Sequence, residues 1–162
     1  MSALIDVALP VAVLLGVVGS GLLAGVFFAF STSVMPGLRR LPPDAGAAAM
    51  QVANRAILNP VFLAVFLGTT VVCVLVAVAA PFSGRGGAVW LVIGALLEVV
   101  GAFVLTMVVN VPLNNRLDAV DPTSAEGGRV WTEYLARWTA WNHVRAVASA
   151  GATAALTLGM WI

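Results

Sequence analysis

The sequence predicts an all-α integral membrane protein, a four-helix bundle with short interfacial helices in its first and third connections. Three observations predict it. The 162 residues are 61% hydrophobic and only 9% charged, with a mean hydropathy of +1.04, whereas soluble domains carry about 25% charged residues. Uncharged runs recur along the chain, bounded by Pro, Gly or Arg and long enough to cross a bilayer. Polar residues gather at the ends of these runs. Residues 1–162 then form one domain, with membrane helices at about 9–35, 60–80, 88–111 and 138–162. The formal net charge of +1, carried by scattered arginines, offers no electrostatic footprint for nucleic acid. Cys73 is the only cysteine, so no intrachain disulfide forms, and it packs as a small hydrophobe.

The first run, Val7 to Leu38, follows Asp6, lacks a basic leader and is too long for a signal-peptide core, so it reads as a retained helix. Two small-residue rows mark it: Gly16, Ser20 and Ala24, and Gly21, Gly25 and Ala29. In lipid, helices associate where small residues let backbones approach, so these rows serve bundle packing and permit a homodimer. Ser31, Thr32 and Ser33 lead to a stop at Pro36 and Gly37, followed by Arg39 and Arg40. The Pro-Pro-Asp start at Pro42 opens an Ala-rich interfacial helix bearing Gln51, Asn54, Arg55 and Asn59. Pro60 starts the second membrane helix, and Pro81 with the Ser83–Gly87 turn ends it.

The third helix carries Glu98 about 15 Å from its start, near the midplane. A carboxyl there costs at least ~2.5 kcal/mol to insert, so it must face the bundle interior. Hydroxyls such as Ser20, Thr69 or Thr153 can meet it there, and it is a candidate proton relay. Thr106, Asn110 and Asn114 recur at four-residue spacing and form one polar stripe, within which Pro112 frees the carbonyl of Val108. The connection from Leu117 to Ala136 is the most polar part of the chain, and Glu133 and Arg137 predict a helix already running before the last membrane segment. On that helix Trp131, Leu135, Trp138, Asn142, Arg145 and Ser149 share a face.

Arginines flank the first and third connections, and only Arg85 marks the second, which places both termini outside the cytoplasm, in the plasma (inner) membrane. The arginine-rich end then collects Asn54, Asn59, Asn110, Asn114, Asn142, His143 and Arg145 beside Trp138 and Trp141. This predicts a pocket open sideways to lipid-soluble molecules. One histidine with no acid on its face cannot build a metal site, and no phosphate loop or dinucleotide motif is present. Acid–base chemistry fits better: a histidine titrating near neutrality, with arginine and asparagines to hold a developing oxyanion. Two alternatives stay open: a non-catalytic membrane partner or quinone-binding protein, and a redox protein holding haem through His143.

Four stretches, Phe30–Pro36, Asn54 to Pro60, N-V-P-L-N-N-R-L from Asn110 to Leu117, and W-T-A-W-N-H-V-R from Trp138 to Arg145, together resemble the anthrone-oxygenase-like family of small four-helix membrane proteins. The resemblance implies oxidation of an anthrone to an anthraquinone by molecular oxygen, without metal or organic cofactor. It also implies roles: His143 removing a proton, Arg145 with Asn142, Asn110 or Asn114 holding the enolate oxygen, and Trp138 and Trp141 stacking on the rings, in a pocket completed by Asn54 and Asn59.

Overall fold

Hydrophobic segments this long can satisfy their backbone groups in lipid only as helices, and the described residues form helices and no strand. The computed structural model describes the backbone of residues 2–162 and the side chains from Val7 onward, so the reading of Asp6 lies outside the described side chains. The elements are α1 (Ser2–Ala29), a π segment (Phe30–Val34), α2 (Met35–Leu38), α3 (Pro43–Ala56), α4 (Pro60–Ala79), α5 (Ala88–Glu98), π segments Val99–Val104 and Thr106–Asn110, α6 (Val111–Asp118) and α7 (Ala125–Trp161). Three continuous rods, Val7–Leu38, Pro60–Phe82 and Ala88–Asp118, are long and apolar enough to cross a membrane. Side chains such as Val11, Leu14, Val18, Val71, Leu75 and Val78 lie exposed on their outer faces, the pattern of a protein that meets hydrocarbon.

Proline explains two departures from the predicted boundaries. Pro36 does not end the first helix: one residue earlier, the Met35 N–H reaches back five residues to the Phe30 carbonyl, and the rod continues to Leu38. Likewise the third helix does not end near residue 111. The Val111 N–H bonds the Thr106 carbonyl, and α6 runs on to Asp118. In both places a π turn absorbs the donor that proline lacks.

The last helix departs further. As Glu133 and Arg137 predict, it is already running before residue 138: it begins at Ala125, where the Ser124 hydroxyl accepts the Gly127 N–H as an N-cap, thirteen residues ahead of the predicted membrane segment, and continues unbroken for 37 residues. The third connection therefore holds no separate interfacial helix: Asp118 ends α6, Asp121 lies in the turn, and Glu126, Arg129 and Glu133 belong to the first turns of α7. The predicted interfacial helix of the first connection does form, as α3. It packs against α6 and α7 through Gly46, Ala47, Met50 and Gln51, and Gln51 Nε2 donates to the carbonyls of Leu117 and Val120. Glu133 ties α6 to α7 by accepting from Arg116 and Arg137, each at 2.6 Å. Hydrogen bonds from Arg137 and Arg116 hold the Glu133 carboxyl below its usual range. This tie is intact above the ordinary carboxylate pKa and is lost as pH falls through the lowered folded value.

The rods pack through small residues. Of the two rows on α1, Gly16 and Ser20 turn inward, whereas Gly25 and Ala29 are exposed. A methyl group at Gly94 on α5 would stand 2.8 Å from Leu156 Cγ and 3.0 Å from the Ala152 carbonyl on α7. Gly94→Ala is therefore expected to destabilise the fold by about 1–3 kcal/mol through overpacking. Gly25→Ala, which meets nothing within 4 Å, is expected to be neutral or to gain up to about 1 kcal/mol of helix propensity. Thermal melts of the detergent-solubilised protein followed by circular dichroism check both, and equal midpoints for the two variants would contradict this packing.

Candidate functional site: a buried guanidinium in an aromatic pocket

The inner face of α7 carries Trp131, Tyr134, Trp138, Asn142, Arg145 and Ser149 at spacings of three and four, and all six are buried. Asn142 is the hub. Its Nδ2 donates to the Phe27 carbonyl at 2.7 Å and to Ser31 Oγ at 2.6 Å, and its Oδ1 accepts from Arg145 Nη2 at 2.7 Å. Asn142 is fully enclosed, and both ends of its amide are committed.

Arg145 is 5% exposed. Its Nη1 donates to Thr106 Oγ1 at 3.0 Å, and that hydroxyl donates onward to the Ala102 carbonyl at 2.7 Å. The guanidinium lies over the Phe27 ring at 4.3 Å and the Trp138 ring at 5.2 Å. No carboxylate pairs with it: the ion pairs among the described residues involve Arg55, Arg116, Arg129 and Arg137. Its Nε has no hydrogen-bond partner.

These groups form one wall of a cavity of about 150 Å³. Phe27, Phe30, Phe62, Phe66 and Trp138 make its apolar sides, and Leu58, Leu67 and Met107 form a rim that reaches the exposed outer surface. Asn54 and Asn114 contribute the other polar groups. Both bond to Tyr134, whose hydroxyl donates to Asn114 Oδ1 at 2.9 Å and accepts from Asn54 Nδ2 at 3.4 Å. Burial raises the Tyr134 phenol above its usual pKa, which suits a neutral donor. Tyr134 stacks on Trp131 and Trp138 at centroid distances of 5.8 and 5.7 Å.

Arg145, Asn142, Trp138, Asn54 and Asn114 thus converge on one cavity as the sequence expects. Asn110 is buried behind it and donates to the Trp138 carbonyl at 3.4 Å. The other expected site residues lie elsewhere. His143 follows Asn142 by one residue, about 100° around the helix, and is exposed outside the cavity. Trp141 is 41% exposed and faces a separate shallow groove with Pro112 and Arg116. Asn59 caps α4, accepting from the Phe62 N–H at 3.0 Å. Glu98 is buried beside Ser20 and Ser149, rather than Thr69 or Thr153. Ser149 stands one helical turn, about 6 Å, beyond Arg145.

Sequence reasoning missed Tyr134, Phe27 of α1 and the cavity role of Phe30 in the π segment that follows it. Tyr134 belongs to the same series as Trp131 and Trp138, three and four residues away, where the sequence reading placed Leu135. Phe27 and Phe30 carry no sequence signal that separates them from lipid-facing residues.

Fold and site together define a helical membrane protein with a lateral aromatic pocket built around an arginine. The chain belongs to the anthrone oxygenase family, whose model matches residues 60–155. The matched segment holds Thr106, Asn114, Trp138, Asn142 and Arg145, while the contributions of α1 and α3 lie outside it. No curated protein and no solved structure matches the chain.

A buried charge without a partner is a liability for stability. Arg145→Met, similar in volume, removes that liability while stranding only Asn142 Oδ1, and is expected to shift the melting midpoint little. Asn142→Leu strands Ser31, the Phe27 carbonyl and one arginine nitrogen, and at about 1–3 kcal/mol for each buried group left unpaired it is expected to lower the midpoint clearly. Thermal melts of both variants check this contrast, and a large loss in Arg145→Met would make the arginine a structural residue.

Proposed function

We propose that this chain is a membrane-embedded oxygenase that oxidises a flat, apolar aromatic ketone of the anthrone type with molecular oxygen, using no metal or organic cofactor. The observation that carries the proposal is the guanidinium of Arg145, with no carboxylate partner among the described residues, at the wall of an aromatic cavity. Family membership supports the substrate class.

In this proposal α7 is the fourth membrane helix, the arginine-rich end faces the cytoplasm, and the substrate enters from the bilayer past Leu58 and Leu67. Its rings pack between the phenylalanines and Trp138, which favour aromatic partners. Its carbonyl oxygen meets Arg145. Loss of a proton from the ring CH₂ turns that oxygen into an enolate, and a fixed cation in a dry site stabilises the anion far more than the neutral ketone. No carboxylate or imidazole lines the cavity among the described residues, so acidity comes from this stabilisation and the proton leaves to water at the mouth. The carbanion carbon then forms a bond to oxygen. The resulting hydroperoxide loses its remaining C–H proton as its O–O bond breaks, giving the quinone and one water: R₂CH₂ + O₂ → R₂C=O + H₂O. Asn54 and Asn114, both held by the Tyr134 hydroxyl, orient the far end of the substrate. Glu98 lies outside the cavity, and its part is limited to moving protons among the Ser20 and Ser149 hydroxyls. His143 takes no part, and a haem bound through it would lie outside the cavity.

Oxygen uptake by the detergent-purified protein with an anthrone tests this. One oxygen should be consumed per quinone formed, and Arg145→Met should lower kcat/KM by about 10²–10³, the usual loss for a removed oxyanion partner. His143→Ala should leave the rate unchanged. Saturable anthrone binding without oxygen uptake would instead make the chain a quinone-binding or carrier protein.

A further inference from the structure

Eight arginines supply all of the basic side chains. Four are in ion pairs, Arg55, Arg116, Arg129 and Arg137, and Arg145 is enclosed in the site. Arg85 stands alone between α4 and α5. Arg39 and Arg40 remain: adjacent, exposed and in no ion pair among the described residues. Asp44, in the first turn of α3, pairs with neither.

Both arginines line a cleft of about 650 Å³ between α2 and α7. Its other walls are largely apolar, with Met35 and Pro36 on one side and Leu135 and Ala136 on the other. The cleft lies at the end of the rod Val7–Leu38, which is long and apolar enough to cross a membrane; in the membrane arrangement proposed above, headgroups meet hydrocarbon at this end. A soluble anion would satisfy the arginines and leave the apolar walls unmatched, and an acidic peptide would press polar backbone against them. A phosphate ester carrying an acyl chain satisfies both, since guanidinium forks pair with phosphate oxygens and the chain covers the apolar wall. We propose that this cleft binds an anionic phospholipid, with its phosphate on Arg39 and Arg40 and the first part of one acyl chain between Pro36 and Leu135.

The test is a titration of the full chain in detergent micelles with a fluorescent-tailed phosphatidylglycerol, read by anisotropy, with phosphatidylcholine bearing the same tail as the comparison. Phosphatidylglycerol is expected to bind saturably and far more tightly than phosphatidylcholine. Each basic side chain at an anionic lipid is worth about five-fold in affinity, so R39Q/R40Q should weaken binding by about thirty-fold, and R85Q should leave it unchanged. Equal affinity for the two lipids, or unchanged affinity in R39Q/R40Q, would overturn the proposal. So would displacement of the lipid by millimolar inorganic phosphate, which would mark a site for a soluble anion. Circular dichroism verifies folding of the double variant. If that variant does not accumulate, the single variants R39Q and R40Q, each expected at about five-fold, carry the same test.

Discussion

The constraint on which the rest of the structure depends is the burial of Arg145 with no carboxylate partner among the described residues. Moving a guanidinium out of water is costly, and a partner of opposite charge is the usual compensation. Here the compensation comes from neutral groups: the Asn142 amide, the Thr106 hydroxyl and the faces of Phe27 and Trp138. The two hydrogen-bonding partners are themselves held in place. Asn142 is fastened to α1 and to Ser31 in the π segment that follows it, and Thr106 to the preceding turn of its own rod. The guanidinium has no carboxylate partner among the described residues and faces a cavity whose other walls are apolar apart from Asn54 and Asn114. That is the electrostatic arrangement an anion forming inside an apolar molecule requires.

The two prolines contribute to the same arrangement. Pro36 and Pro112 each follow a π turn, and in each the residue before the proline bonds five residues back instead of four. A π turn rotates everything after it relative to an ideal helix. The first carries Ser31 to Asn142, and the second lies within the stretch that presents Thr106 and Asn110 to α7. Such turns collect at functional sites in helices, and here both flank the polar face of α7.

Much of this was legible in the sequence. Hydropathy revealed the helical class and the membrane-spanning lengths of three helices, because these follow from transfer free energies that depend on residue type alone. The four-residue spacing of Thr106, Asn110 and Asn114 and the face shared by Trp138, Asn142 and Arg145 were readable from helical geometry. What could not be read was the rotation introduced by the π turns, since a proline announces a lost donor but not how the helix absorbs it. His143 drew attention as the chain's lone titratable imidazole, yet one residue of offset on a helix turns it about 100° away from Asn142. Trp141 was misplaced for the same reason. Ring partners such as Phe27 differ from lipid-facing phenylalanines only in where the helix turns them, which tertiary packing decides.

The most direct test of the central claim, that Arg145 stabilises an anion in the cavity, is an absorbance pH titration of a bound anthrone. The account predicts that the enolate band appears at a pH well below that of the free compound when the wild-type protein holds it, and that the shift disappears in Arg145→Met while binding persists. A bound anthrone that ionises at the same pH as the free one, or shows the same shift without the arginine, would contradict it.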